Sequence, residues 1–257
     1  MASESYKTLS IEFAQGIARL KLTRPSLLNR FDQELHTEFA DAALALSGRR
    51  DVKVLILSAE GKAFSAGGDI NMMLEANQSK TMRDRLSYEA KVIADVFGTL
   101  PFPVIAAVQG AAIGLGATIV ALSDIVVACR GAKLADPHVQ LGLVAGDGGV
   151  VGWAQSIGIN RAKRYLFTGE RITAERGYEM GLVTDLVETP EEVIPVAERI
   201  AATIASYPRA GVEGTKRAFS RLTQQISGPV FELSLAYEME TLASVELRET
   251  VTKMLNK

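Results

Sequence analysis

The chain has 257 residues, 47% hydrophobic and 23% charged, with one Cys and two His. That length fits one large domain, or a domain with a short extension, and the single Cys129 excludes a disulfide framework or a cysteine-based zinc site. A net charge of −2 with dispersed Lys and Arg argues against a nucleic-acid footprint, yet leaves room for a phosphorylated small ligand held by backbone amides.

The opening MASESYKTLS has neither a basic n-region nor an apolar h-region, so the expected compartment is cytoplasmic. No metal site is expected, because His36 and His138 lack a carboxylate spacing that suggests ligation. Thr99–Ser123 carries no charge and is long enough to span a bilayer. Prolines and glycines interrupt it, so it reads as buried core, and no membrane association is expected.

In chain order, Tyr6–Phe13 and Ile17–Leu22 form a hairpin about Gln15-Gly16. Leu35, Phe39, Ala43 and Leu46 recur at helical spacing, with His36 placed at the surface beside the stripe. Val54–Leu57 reads as a strand buried on both faces. Ala59–Asp69 is a glycine-rich loop, and a helix near Arg83–Leu100 leads to a strand at Val104–Val108. Gly110–Gly116 is a second glycine-rich turn, followed by a short helix at Ala117–Leu122 and a strand at Ile125–Ala128. Asn160 and Thr173 are N-cap candidates for helices at Arg161–Phe167 and Ala174–Met180, and a strand follows at Leu182–Val187. Helices over 191–206, 209–224 and 230–255 complete the chain, separated by Tyr207-Pro208 and Gly228-Pro229, with a break near Ser244. The pattern predicts an α/β core over 1–190 and a helical C-terminal region over 191–257.

The two glycine-rich turns each follow a strand, where α/β folds bind ligands. Together they can set two backbone N–H groups around one oxygen, the requirement for stabilising an enolate. A dinucleotide site at Gly114–Ile119 is disfavoured, because the third glycine position holds Ile119.

KAFSAGGDI (62–70), PVIAAVQGAAIGLGATIVALSDIVVA (103–128), FTGERITAERGYEMGLV (167–183) and TRPSLLNRF (23–31) resemble the crotonase, or enoyl-CoA hydratase/isomerase, superfamily. The resemblance implies a spiral of ββα units with a C-terminal helical trimerisation region, assembled as a homotrimer or hexamer. It implies an acyl-CoA thioester substrate, with coenzyme A as part of the substrate and no tightly bound cofactor. The oxyanion hole falls on the N–H groups of Ala66 and Leu115, and the CoA-binding positions on Lys62, Ala63, Phe64, Asp69 and Ile70. The two glutamates that hydratases of the superfamily use fall at Thr118 and His138, and neither is a carboxylate. His138, with Asp147 nine residues on, is then the expected catalytic pair, the carboxylate fixing the imidazole tautomer.

That spacing also resembles 6-oxocamphor hydrolase-type members of the superfamily, in which a His–Asp pair activates water for carbon–carbon cleavage. Their second His, at the position of Leu115, is missing here. Three readings result: a lyase-type hydratase/isomerase acting on an acyl-CoA through an enolate, a retro-Claisen hydrolase of a small β-dicarbonyl, and a catalytically silent binding member.

Overall fold

The computed structural model describes residues 3–256, beginning with β1 (Ser3–Ser5), β2 (Leu9–Ala14) and β3 (Ile17–Leu22), an antiparallel run turned at Gln15-Gly16. After α1 (Gln33–Ser47) come β4 (Val54–Ala59), β5 (Ala63–Ser65), α2 (Ile70–Gln78), α3 (Lys80–Lys91) and a π-helical segment at Val92–Phe97. The strand–strand–helix order repeats as β6 (Val104–Val108), β7 (Ala111–Ile113) and α4 (Leu115–Ala121). It repeats again as β8 (Ile125–Cys129), β9 (Lys133–Ala135), a 3-10 turn at His138–Leu141, α5 (Gly149–Ile157) and α6 (Ile159–Thr168). β10 (Ile172–Thr173), α7 (Ala174–Met180) and β11 (Asp185–Val187) lead to α8 (Pro190–Ser206), α9 (Arg209–Leu242) and α10 (Val245–Leu255).

Each repeat places one strand in each of two sheets. The larger runs β1-β2-β3-β4-β6-β8-β11, parallel from β3 onward, and the smaller runs β10-β9-β7-β5. The chain therefore winds as a spiral of ββα turns. β6 is buried at every residue and β4 at all but its last, as central parallel strands require. The uncharged run 99–123 supplies β6, β7 and α4, interior elements where a charge would have no partner. Among the described residues, no helix is long and apolar enough to cross a membrane.

Several elements depart from the sequence reading. The strands of the smaller sheet have two or three residues, too short to show alternation, and two of them, β5 and β7, lie inside the glycine-rich segments. The helix placed at Arg83–Leu100 begins earlier, because Ser79 caps α3 by accepting the Met82 N–H at 3.2 Å. α6 starts at Ile159 after Gly158, so Asn160 lies inside it and is no cap. Gly228-Pro229 does not divide the C-terminal helices, and α9 runs on to Leu242. Phe231 and Leu235, just past the proline, pack with Ala90 and Val151, and this contact holds the helix through the site of the missing N–H. The break near Ser244 is present, with Ser244 capping α10. Val193, Ala197 and Ala201 of α8 lie in the main core, so α8 belongs with the spiral although it follows residue 190. His36 is 5% exposed, not at the surface, with Nδ1 2.7 Å from Glu89 Oε2.

Candidate active site

Asn29 builds the first glycine loop. Its side chain is fully buried: Oδ1 accepts the Arg24 N–H at 3.0 Å, and Nδ2 donates to Glu60 O at 2.9 Å and Ala63 O at 3.0 Å. Ser65 Oγ donates to Asn29 O at 2.8 Å. Beyond Ser65, the Ala66 N–H donates to Leu28 O at 2.9 Å and the Gly67 N–H to Ser65 Oγ at 3.2 Å. The Asp69 N–H donates to Phe31 O at 3.0 Å. From Ala66 to Asp69, the amide without a protein partner among the described residues is Gly68.

Contrary to expectation, the Ala66 N–H is already bonded within the protein, and the Gly68 N–H is the one free to meet a ligand. The parallel bridge between Phe31 and Gly68 uses the Gly67 carbonyl and the Asp69 N–H, which turns the Gly68 N–H to the other side. The other expected donor, Leu115, lies at the second turn. It is the first residue of α4, so its N–H has no helical acceptor, while its side chain is buried in the core. Gly114 before it has φ 53° and ψ −126°, a conformation that costs glycine little. A side chain there would begin 3.7 Å from Gly67 Cα, 3.8 Å from His138 Cε1 and 4.0 Å from Gly68 N, so both turns and His138 meet at one point. Gly68, Gly114 and His138 line a cavity of about 620 Å³, with Ile70, Met73 and Met254 on its apolar side.

His138 is 7% exposed, and its Nδ1 pairs directly with Asp136 Oδ1. Nε2 lies 3.7 Å from Asp147 Oδ2 and 3.9 Å from Glu238 Oε1. The expectation that Asp147 fixes the tautomer is therefore corrected: its distance exceeds a hydrogen bond, and Asp136 holds the ring. Asp147 instead accepts Thr118 Oγ1–H at 3.1 Å and the Gly149 N–H at 3.3 Å, both on Oδ1. A carboxylate thus reaches position 118 from 29 residues away. Glu238 enters from α9, and its Oε2 has no hydrogen-bond partner among the described residues.

Burial opposes a charge on His138, but Asp136, Asp147 and Glu238 outweigh it and hold the imidazole pKa well above its ordinary value. Burial raises the Asp147 pKa, against the pull of His138 and the bonds from Thr118 and Gly149. Burial, reinforced by Asp147, lifts Glu238 well above the usual carboxylate range. A histidine and two carboxyl groups whose pKa values are all raised form a cluster that can hold a proton and pass it to or from a ligand.

Among the described residues, Asp136, His138 and Asp147 bring ligand-type atoms within 4.8 Å of one another. In this cluster His138 Nδ1 is already paired with Asp136, and Asp147 Oδ1 already accepts from Thr118 and Gly149.

The expected CoA positions separate. Ile70 lines the cavity, and Lys62 is exposed outside it. Ala63 is buried in β5, and Phe64 is fully buried in the core, so its side chain touches no ligand. Asp69 caps α2 by accepting the Met72 N–H at 2.9 Å and pairs with Arg30 Nε at 2.8 Å, a scaffold role. A larger groove of about 970 Å³ lies along α9 beside the Lys216–Asp124 pair, but it contains neither glycine loop nor His138.

Gly68 and Glu238 are not singled out in the sequence, and Asp136 is not read there as a partner of His138. Asp136 had a signal, an acid two residues before the site histidine. Glu238 had none, because only the return of α9 brings it in.

With this geometry in place, residues 12–257 match the family model described as enoyl-CoA hydratase/isomerase. The chain belongs to the enoyl-CoA hydratase/isomerase family. It is 31% identical over 215 residues to a crotonyl-CoA hydratase of Syntrophomonas wolfei, covering 83% of this chain and 82% of that one. It is 29% identical over 245 residues to the 1,2-epoxyphenylacetyl-CoA isomerase of Escherichia coli K12, covering 95% and 93%. The crystal structure of an enoyl-CoA hydratase/isomerase from Mycobacterium paratuberculosis superposes with a TM-score of 0.90 at 33% identity, over 97% of this chain and all of that one.

Proposed function

We propose that this chain moves a proton at the carbon beside the carbonyl of an acyl-CoA thioester, through an enolate held by two backbone amides. The observation that carries the reading is the meeting of Gly68, whose N–H has no protein partner among the described residues, with His138 and with Gly114, which precedes the first amide of α4 at Leu115. The thioester oxygen accepts from both amides, and these bonds strengthen as negative charge develops on it. His138 Nε2 faces Asp147 and Glu238 and carries the transferred proton, while Asp147 stabilises the imidazolium. Thr118 is too weak an acid to serve as a base and acts as a hydrogen-bond donor to Asp147.

Positions 118 and 138 hold Thr and His, so water addition by a pair of glutamates at those positions is not part of this reading. Assembly as a homotrimer or hexamer is part of the same reading. Phe219, Leu222, Val230, Leu233 and Tyr237 recur along α9 and are 43–63% exposed, a stripe suited to burial against another copy.

The test is the carbonyl stretching frequency of a carbon-13-labelled acyl-CoA bound to the protein. Binding with a shift to lower frequency is expected, because two donors polarise the carbonyl. Absence of binding would overturn the reading. Turnover of a cyclic 1,3-diketone without CoA binding would replace it with carbon–carbon hydrolysis.

A further inference from the structure

We infer that Asp136 is the positioning residue that sets both the orientation and the charge of His138, from a seat that exists because residue 149 is glycine. The inference rests on the proton-transfer reading of His138 for its catalytic consequence, though not for its structural content.

The Asp136 side chain is fully buried. Its Oδ1 pairs with His138 Nδ1 and also meets the His138 backbone N–H at 3.4 Å. One oxygen therefore grips the same residue at ring and backbone, and Pro137 between them stiffens the turn (φ −90°, ψ 20°). Rotation of the ring to present Nδ1 to the cavity would break this grip. Nε2 is thus the nitrogen left for substrate.

The other oxygen, Oδ2, is buried without a hydrogen-bond partner among the described residues. It lies against the start of α5, where a Cβ on Gly149 would overlap it. Gly149 is the first residue of that nine-residue helix, so Oδ2 sits at the positive end of the helix dipole. A buried oxygen in that place is held by field and shape, and any side chain at 149 would evict it. The other groups around His138 are Asp147 from the loop before α5 and Glu238 from α9, both facing Nε2, with Thr118 of α4 bonded to Asp147. Neither of those carboxyl groups reaches Nδ1, so neither replaces the grip of Asp136.

The sequence contains two histidines, so a full-length protein labelled with nitrogen-15 histidine gives two ring systems, and His138→Gln assigns one of them. In the unaltered protein His138 shows one fixed tautomer pattern with Nδ1 hydrogen-bonded. Asp136→Asn keeps the shape and removes the charge. It is expected to lower the His138 titration midpoint by about one to three pH units and to mix the ring tautomers. Gly149→Ala, which removes no titratable group, is expected to move the His138 signals in the same direction by displacing Oδ2. The pH profile of α-proton exchange should shift with the Asp136→Asn midpoint, with acyl-CoA affinity unchanged.

If either variant is folded and leaves the His138 midpoint and tautomer unaltered, the inference is overturned, and Asp147 with Glu238 sets the charge. If the resonances move as described but no acyl-CoA is bound, the positioning role stands and the proposed function fails.

Discussion

Asn29 makes three hydrogen bonds from a fully buried side chain, and they join the Arg24 amide, the Glu60 carbonyl and the β5 carbonyl of Ala63. Asn29→Ala would strand all three groups. A loss of about 2 kcal/mol or more is expected in denaturant unfolding, together with weaker ligand binding, since the Gly68 amide depends on this loop. Unchanged stability would mean that water enters and replaces the side chain. Residues of this kind were partly legible in the sequence, because the segment carrying Asn29 was among the family-like motifs. The choice of donor amide was not legible. It depends on which N–H groups the Phe31–Gly68 bridge consumes, a fact of pairing geometry and not of residue type. The same holds at His138: position 138 could be read, but the partner of each ring nitrogen could not.

At the scale of elements, α9 is the part the sequence misplaced and the site needs. It passes so close to Gly146 that a Cβ there would overlap the Ser234 carbonyl. Glu238, one turn further along, then comes within 3.9 Å of His138 Nε2. Gly146→Ala is expected to lift α9 and move Glu238 away, lowering α-proton exchange while far-UV circular dichroism stays native. Unchanged exchange would separate α9 from the chemistry. The strand–helix alternation of the spiral was legible because central parallel strands must be continuously apolar. The small sheet was not, since its strands are shorter than the period needed to recognise them. The continuity of α9 was hidden by Gly228-Pro229, where packing of Phe231 and Leu235 overrides a local breaker.

For the whole molecule, the site and the α1–α3 contact respond to pH in opposite senses. His138 has a raised pKa, so its contribution to stability is full below the unfolded value of about 6.5 and is lost as pH rises through the folded value. Asp147 and Glu238 are also raised, and they too cost stability as pH climbs above the unfolded carboxyl range. Burial opposes the charge on Glu89, yet hydrogen bonds from His36, Thr37 and Arg85 hold its pKa at about 2, so its contribution is lost only in acid. Unfolding midpoints should therefore fall on the alkaline side, and Glu238→Gln should remove part of that fall. A flat alkaline profile that Glu238→Gln does not alter would contradict the charge assignment. Size-exclusion chromatography with light scattering checks the assembly. A trimer or hexamer is expected, and a charge placed at Leu233 should dissociate it.

The central claim is that His138 exchanges a proton with the carbon beside a thioester carbonyl held by Gly68 and Leu115. The most direct measurement is deuterium incorporation at the α-carbon of a saturated acyl-CoA in deuterated water, followed by mass spectrometry. Saturated substrate needs no added nucleophile, so the proton step is seen alone. The structure predicts incorporation by the unaltered protein and a fall of about 10²–10⁴-fold in His138→Ala. Equal incorporation by the two proteins, with acyl-CoA bound by both, would contradict it.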